Sequence, residues 1–161
     1  MSLILIGINH KTADVALREK VAFPPEIVSD ALRDIRSLTD VSEVVLLSTC
    51  NRTELYIETT GDESLSDKLG HYAQKSLDQE KVKDLVSWLA GFHDLESSEL
   101  ERSVYWFSGM NVVRHLMKVS CGLDSLVLGE PQILGQIKSA FALAKDLKTV
   151  GPSLNRAFIA A

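Results

Sequence analysis

Glu43-Val44-Val45-Leu46-Leu47-Ser48-Thr49-Cys50-Asn51-Arg52-Thr53-Glu54-Leu55-Tyr56-Ile57-Glu58-Thr59 holds two apolar runs separated by a polar segment. Residues 43–48 are continuously apolar after the opening glutamate and β-branched at their start, the pattern of a buried strand. Residues 55–59 alternate and end near Gly61, so they read as its partner. Between them the sequence places a thiol, Cys50, where a strand gives way to polar residues. A group at that position is held by the sheet and faces outward into a cleft.

Working outward, residues 3–8 form a short isoleucine-rich run that ends at Asn9-His10-Lys11-Thr12, a first strand leading into a polar loop. Residues 103–107 are a fourth strand candidate. Short helical patterning covers 16–22. Pro24-Pro25 opens a second helix to about residue 38, with Ile27, Val28, Ala31, Leu32 and Ile35 at helical spacing. Residues 64–93 carry helical patterning through Leu65, Leu69, Tyr72 and Ala73, then Val82, Leu85, Val86 and Leu89. Another helix spans about 111–120, with Asn111 as its N-cap and Gly122 just past its end. After Gly129-Glu130-Pro131, Ile133, Ile137, Ala140, Phe141 and Ala144 mark one face of an amphipathic helix, which Gly151-Pro152 breaks. A last apolar-patterned segment follows. The pattern predicts an α+β domain: a small, largely antiparallel sheet of three or four strands packed with about six helices.

The 161 residues suit one well-packed domain. A formal charge of -5, from 17 basic against 22 acidic side chains, does not suit a domain that grips nucleic acid over its whole surface. Any such contact must be local, and no run of Lys or Arg makes a polybasic patch. No basic n-region precedes the first apolar run, and no apolar stretch approaches the roughly 20 residues that span a bilayer. The expected setting is the cytoplasm, with Cys50 and Cys121 as free thiols and no membrane partner.

Cys50 carries the strongest chemical signal. Arg52 sits close by in sequence, and a nearby cation favours the thiolate, the form that attacks. A lone cysteine is also commonly a small buried hydrophobe, but Thr49, Asn51, Arg52 and Glu54 are poor company for one. His115, in Val113-Arg114-His115-Leu116-Met117, reads equally as a general base and as a boundary residue of its helix. His10 is ambiguous in the same way, while His71 and His93 read as surface residues. Gln132 and Gln136 lie four apart on one helix face, away from Ile133 and Ile137, either gathered for a polar ligand or simply solvated. There is no G-x-G-x-x-G loop, no Walker A lysine and no Cys-His metal spacing.

Together these stretches resemble one family. Gly7-Ile8-Asn9-His10-Lys11-Thr12-Ala13, Leu17-Arg18-Glu19-Lys20, Ser48-Thr49-Cys50-Asn51-Arg52-Thr53-Glu54-Leu55-Tyr56, and the block from His115-Leu116 through Gly122-Leu123-Asp124-Ser125 to Gly129-Glu130-Pro131-Gln132-Ile133-Leu134-Gly135-Gln136 are similar to glutamyl-tRNA reductase. The resemblance is weakest over 60–105. It implies an enzyme that converts glutamyl-tRNA and NADPH to glutamate-1-semialdehyde, the first committed step of five-carbon tetrapyrrole synthesis. It implies Cys50 as the nucleophile that takes the glutamyl group as a thioester, and His115 as a residue important for activity. Thr49, Asn51, Arg52, Ser125, Glu130, Pro131, Gln132 and Gln136 carry over as substrate contacts, Arg52 as the partner of the substrate's side-chain carboxylate. Departures are Asp14, where the family often has proline, and Cys121, read as a packing residue.

The resemblance further implies longer proteins, in which an NADPH-binding Rossmann domain and a helical dimerisation domain follow. Residues 1–150 are then the catalytic domain and 151–161 the start of a linker. A homodimer and a downstream glutamate-1-semialdehyde aminotransferase are the implied partners. Two other readings share single features: a Cys-His acyltransferase or esterase that needs no tRNA, and a non-catalytic tRNA-binding module. Neither accounts for the four motifs occurring together.

Overall fold

The computed structural model describes residues 2–61 and 63–161, with side chains described outside 62–73. Four strands, β1 (Ser2–Asn9), β2 (Val41–Ser48), β3 (Arg52–Thr59) and β4 (Tyr105–Ser108), form one antiparallel sheet in the order β2-β3-β1-β4. The helices among the described residues are α1 (Val15–Val21), α2 (Pro25–Arg36), α3 (Glu63–Phe92), α4 (Ser97–Leu100), α5 (Met110–Ser120), α6 (Gln132–Asp146) and α7 (Pro152–Ala160). The α+β expectation holds, and α4 is the one helix the sequence pattern did not suggest.

The sheet registers sort side chains by face. Leu47, Glu54, Gly7 and Tyr105 lie across the four strands at one level, and Val45, Tyr56, Leu5 and Phe107 at the next. Since directly paired residues share a face, Arg52, Glu54 and Tyr56 point the same way along β3. That is the side of α5 and α7, because Glu54 meets His115 and Tyr56 packs edge-on against Phe158. The opposite side carries Ile4, Ile6, Leu55 and Ile57, all at most 1% exposed. The aromatic group of Phe23, Trp88 and Phe92 closes the α1, α2 and α3 side.

Three local expectations need correcting. β3 begins at Arg52, three residues earlier than the apolar alternation suggests, so the polar segment between the runs shrinks to a tight hairpin closed by Thr49 N donating to Arg52 O. The residue that caps α5 is Gly109 (φ 59°), with Asn111 two positions later in the first turn, where its side chain accepts from Arg114. His93 is half-buried, edge-on against Phe23 at 4.5 Å, rather than a plain surface residue. The expectations on Leu65, Leu69, His71, Tyr72 and Ala73 lie outside the described side chains. No described helix is long and apolar enough to cross a membrane.

Residues 152–160 are helical and packed, with Leu154 fully buried. The Glu43 carboxylate, from β2, accepts from the backbone N–H groups of Ser153 and Leu154 at 3.1 and 2.8 Å. An acid that satisfies two orphan donors of a helix start acts as its cap, though it comes from a strand far away in sequence. Glu43→Ala is therefore expected to lower stability by about 1–2 kcal/mol, read as a fall in the urea unfolding midpoint with an unchanged slope.

Candidate active site

The β2–β3 hairpin puts Cys50 at its tip. Thr49 Oγ1 accepts from the backbone N–H groups of Asn51 and Arg52, each at 3.2 Å, which fixes the turn. Cys50 is exposed and unpaired. Opposite it lie the turn after α5 and the first turns of α6. Together they enclose a cleft lined by Thr49, Cys50, Asn51, Arg52, Ser125, Leu126, Glu130, Gln132, Ile133 and Gln136. Its volume is about 30 Å³, room for about one water molecule.

The α5 end that faces this cleft has a definite geometry. Gly122 (φ 69°) donates to Val119 O and Leu123 donates to Lys118 O, the paired bonds of a Schellman turn. A Cβ at Gly122 would sit 3.0 Å from the Gly129 Cα, so glycine also permits the chain to return on itself there. The turn delivers Asp124 to Arg52. Cys121 is exposed at the cap of α5, not a packing residue.

Below the cleft the sheet buries a carboxylate. Glu54, 0% exposed, receives Arg52 Nη1 at 2.8 Å, Tyr56 OH at 2.5 Å, His115 Nε2 at 2.7 Å, and the Tyr105 hydroxyl. Burial pushes this carboxyl up. The hydrogen bond and charge of His115, then Arg52 and Tyr105, more than offset it and hold Glu54 at about 2. Both tyrosine hydroxyls are pushed up, by burial first and then by the Glu54 charge. Gly7 makes the meeting possible, since a Cβ there would lie 2.7 Å from the Tyr105 ring and 2.9 Å from Glu54 Cγ.

Arg52 joins the two levels. Its second nitrogen donates to the Asp124 carbonyl and, at 3.2 Å, to the Asp124 carboxylate, which also takes Lys11 Nζ at 2.6 Å. Burial raises the Asp124 carboxyl, but Lys11 and Arg52 outweigh it and hold it below the usual range. His10 stands beside this group with an unpartnered buried Nδ1, its pKa lowered by burial and then by the Arg52 and Lys11 charges.

The structure thus brings most of the expected site residues to one cleft and leaves two outside its lining. Pro131 is exposed at the start of α6. His115 lies one layer down, on Glu54. Glu54, Tyr56, Tyr105 and Asp124 were not singled out in the sequence. The signal for the first two was present: Arg52, Glu54 and Tyr56 sit at alternate positions of one strand. Tyr105 gave none, because its partner is distant in the chain.

Because the folded carboxyl of Glu54 titrates at about 2 against an ordinary 4.5, its stabilisation is complete above pH 4.5 and is lost as pH falls toward 2. Glu54→Gln is expected to cost about 3 kcal/mol at neutral pH by leaving buried charges unmatched. It should also flatten stability against pH between 4.5 and 2. Urea unfolding across that range checks both.

The chain is similar to known proteins over nearly its whole length. The family model described as "Glutamyl-tRNAGlu reductase, N-terminal domain" matches residues 6–161. The glutamyl-tRNA reductases of Shewanella halifaxensis and Ectopseudomonas mendocina are 46% and 48% identical over 158 residues, covering 98% of this chain and 33% of each relative. A solved structure, glutamyl-tRNA reductase from Methanopyrus kandleri, aligns at a TM-score of 0.65 and 30% identity, over 97% of this chain and 31% of that one. The chain spans about a third of the length of these relatives. On sequence and fold together, it belongs to the family of the glutamyl-tRNA reductase N-terminal domain.

Proposed function

We propose that this chain carries out the acyl-transfer half of glutamyl-tRNA reduction, with Cys50 as the nucleophile. The observation that carries the reading is an exposed, unpaired cysteine at a rigid hairpin tip, facing a cleft lined by amides, hydroxyls and a guanidinium. The Cys50 thiolate attacks the carbonyl carbon of the aminoacyl ester. The C–O bond to the terminal ribose breaks, the tRNA leaves with its hydroxyl restored by a proton, and a glutamyl thioester remains. An ester to ribose is already activated, so a positioned thiolate suffices.

Within this reading Arg52 receives the side-chain carboxylate of the glutamyl group. Its Nη1 stays on Glu54, while Nη2 exchanges Asp124 for the ligand. Thr49, Asn51, Ser125, Glu130, Gln132 and Gln136 offer hydroxyl, amide and carboxylate groups to the remainder, including the α-ammonium. The cleft, with room for about one water molecule, must widen first. His115 acts through Glu54, and thereby through Arg52, as a positioning residue.

The family also implies NADPH and reduction to glutamate-1-semialdehyde. The described residues do not fit that cofactor. The sheet is wholly antiparallel and has no strand–glycine loop–helix cradle for a pyrophosphate. The step assigned to this chain therefore ends at the thioester, with residues 1–150 as the catalytic unit and α7 packed on it. The same reading carries a cytoplasmic setting, a homodimer formed by the longer protein, and an aminotransferase that consumes the semialdehyde.

Mixing the chain with tRNA bearing labelled glutamate is expected to give protein-bound, hydroxylamine-sensitive label. Cys50→Ala should abolish it, and Arg52→Lys should reduce it at least tenfold. Label that persists in Cys50→Ala, or is absent from the wild type, overturns the reading.

A further inference from the structure

A large groove lies away from Cys50, around the outer edge of β4. One part, about 750 Å³, is bounded by Gln74, Lys75 and Asp78 of α3 on one side and by Met110, Asn111 and Arg114 of α5 on the other. Trp106 and Phe107 of β4 lie between them. A second part, about 570 Å³, shares Phe107, Asn111 and Arg114 and continues along α5 to Lys118. The two parts adjoin at these three shared residues.

Its chemistry differs from that of the chain as a whole. The chain is acidic, with net charge -5, yet α5 contains no Asp or Glu. Arg114 and Lys118, one turn apart, are both exposed, and neither meets an acid among the described residues. Lys75 adds a third exposed cation on the opposite wall. Among the described residues that line the groove the acid is Asp78, which is buried and accepts from Gln74. Trp106 and Phe107 are half-buried and point to opposite faces of the sheet, so ring surface is offered at the edge on both sides. Cations along a groove with aromatic rings in its floor match a single-stranded polynucleotide, whose phosphates and bases need those two groups.

The direction of α5 links this groove to the site. The helix starts at Met110 beside β4 and ends at Cys121, and its terminal turn carries Asp124 to Arg52 in the Cys50 cleft. We propose that the β4–α5 groove docks the single-stranded acceptor end of the tRNA, with Arg114 and Lys118 on its phosphates and Phe107 or Trp106 under a base. The proposal rests on the acyl-transfer reading and names the surface by which that substrate is held.

The test measures binding of uncharged glutamate tRNA across a salt series, and glutamyl transfer from charged tRNA and from the α-methyl ester of glutamate. For R114E/K118E, tRNA affinity at low salt should fall more than tenfold. For R114A/K118A, the log–log salt dependence should become shallower by about 2. Transfer from the methyl ester and the urea unfolding midpoint should be unchanged, the latter showing that both variants are folded. Unaltered tRNA binding in both variants overturns the proposal. So does a salt-insensitive interaction, which would mean that phosphate contacts do not carry the binding. If charge reversal abolishes tRNA binding but charged tRNA never labels Cys50, the groove stands and the thioester reading falls.

Discussion

The buried carboxylate of Glu54 is the constraint around which this domain is arranged. An ionised group with no exposure is costly unless every lone pair is used. Here four donors converge on it, two from its own strand, one from β4 and one from α5. They tie the edge strand, the central hairpin and a helix to a single point. The same convergence fixes Arg52 directly beneath the Cys50 cleft, so fold stability and cleft geometry share one set of bonds. A charge network at a sheet face is less efficient as core than aliphatic packing. What the network does achieve is to hold the Arg52 guanidinium in one orientation.

The hairpin and the first strand were legible in the sequence because both faces of a buried strand read as an unbroken apolar run. The amphipathic α2 and α6 were legible for the complementary reason: Ile35 and Ile137 fall on stripes that only a helix brings together. The start of β3 was hidden. Arg52, Thr53 and Glu54 look like loop residues, and only tertiary partners make them strand. The capping of α5 by Gly109 was hidden as well, because an asparagine two positions later imitates the expected signal.

For the site the division is similar. Cys50 and its flanking residues could be read because the hairpin keeps them adjacent in sequence and in space. Ser125, Glu130, Gln132 and Gln136 reached the cleft only through the family resemblance, since no local pattern says which way the turn after α5 points. His115 was named without its partner. A histidine facing a carboxylate 61 positions earlier leaves no periodic trace, and neither does Asp124 facing Arg52 across 72.

The turn after α5 also has mechanical meaning. Gly129 donates to the carbonyl of Gly122 at 3.2 Å, so the segment between these two glycines is closed upon itself. Both have positive φ, 69° and 76°. Among the described residues, the side-chain hydrogen bonds that fasten this closed segment to the sheet meet at one residue, Asp124, whose carboxylate is held by Lys11 and Arg52 and whose carbonyl is held by Arg52. A loop with its own internal closure moves as a piece, and pays little extra conformational entropy when it does. Widening the cleft therefore requires exchanging ionic contacts at one latch, while α5, α6 and the sheet keep their backbone bonds. Under the proposed function the incoming glutamyl carboxylate carries the charge needed to make that exchange, so the ligand that needs the space is also the one equipped to open it.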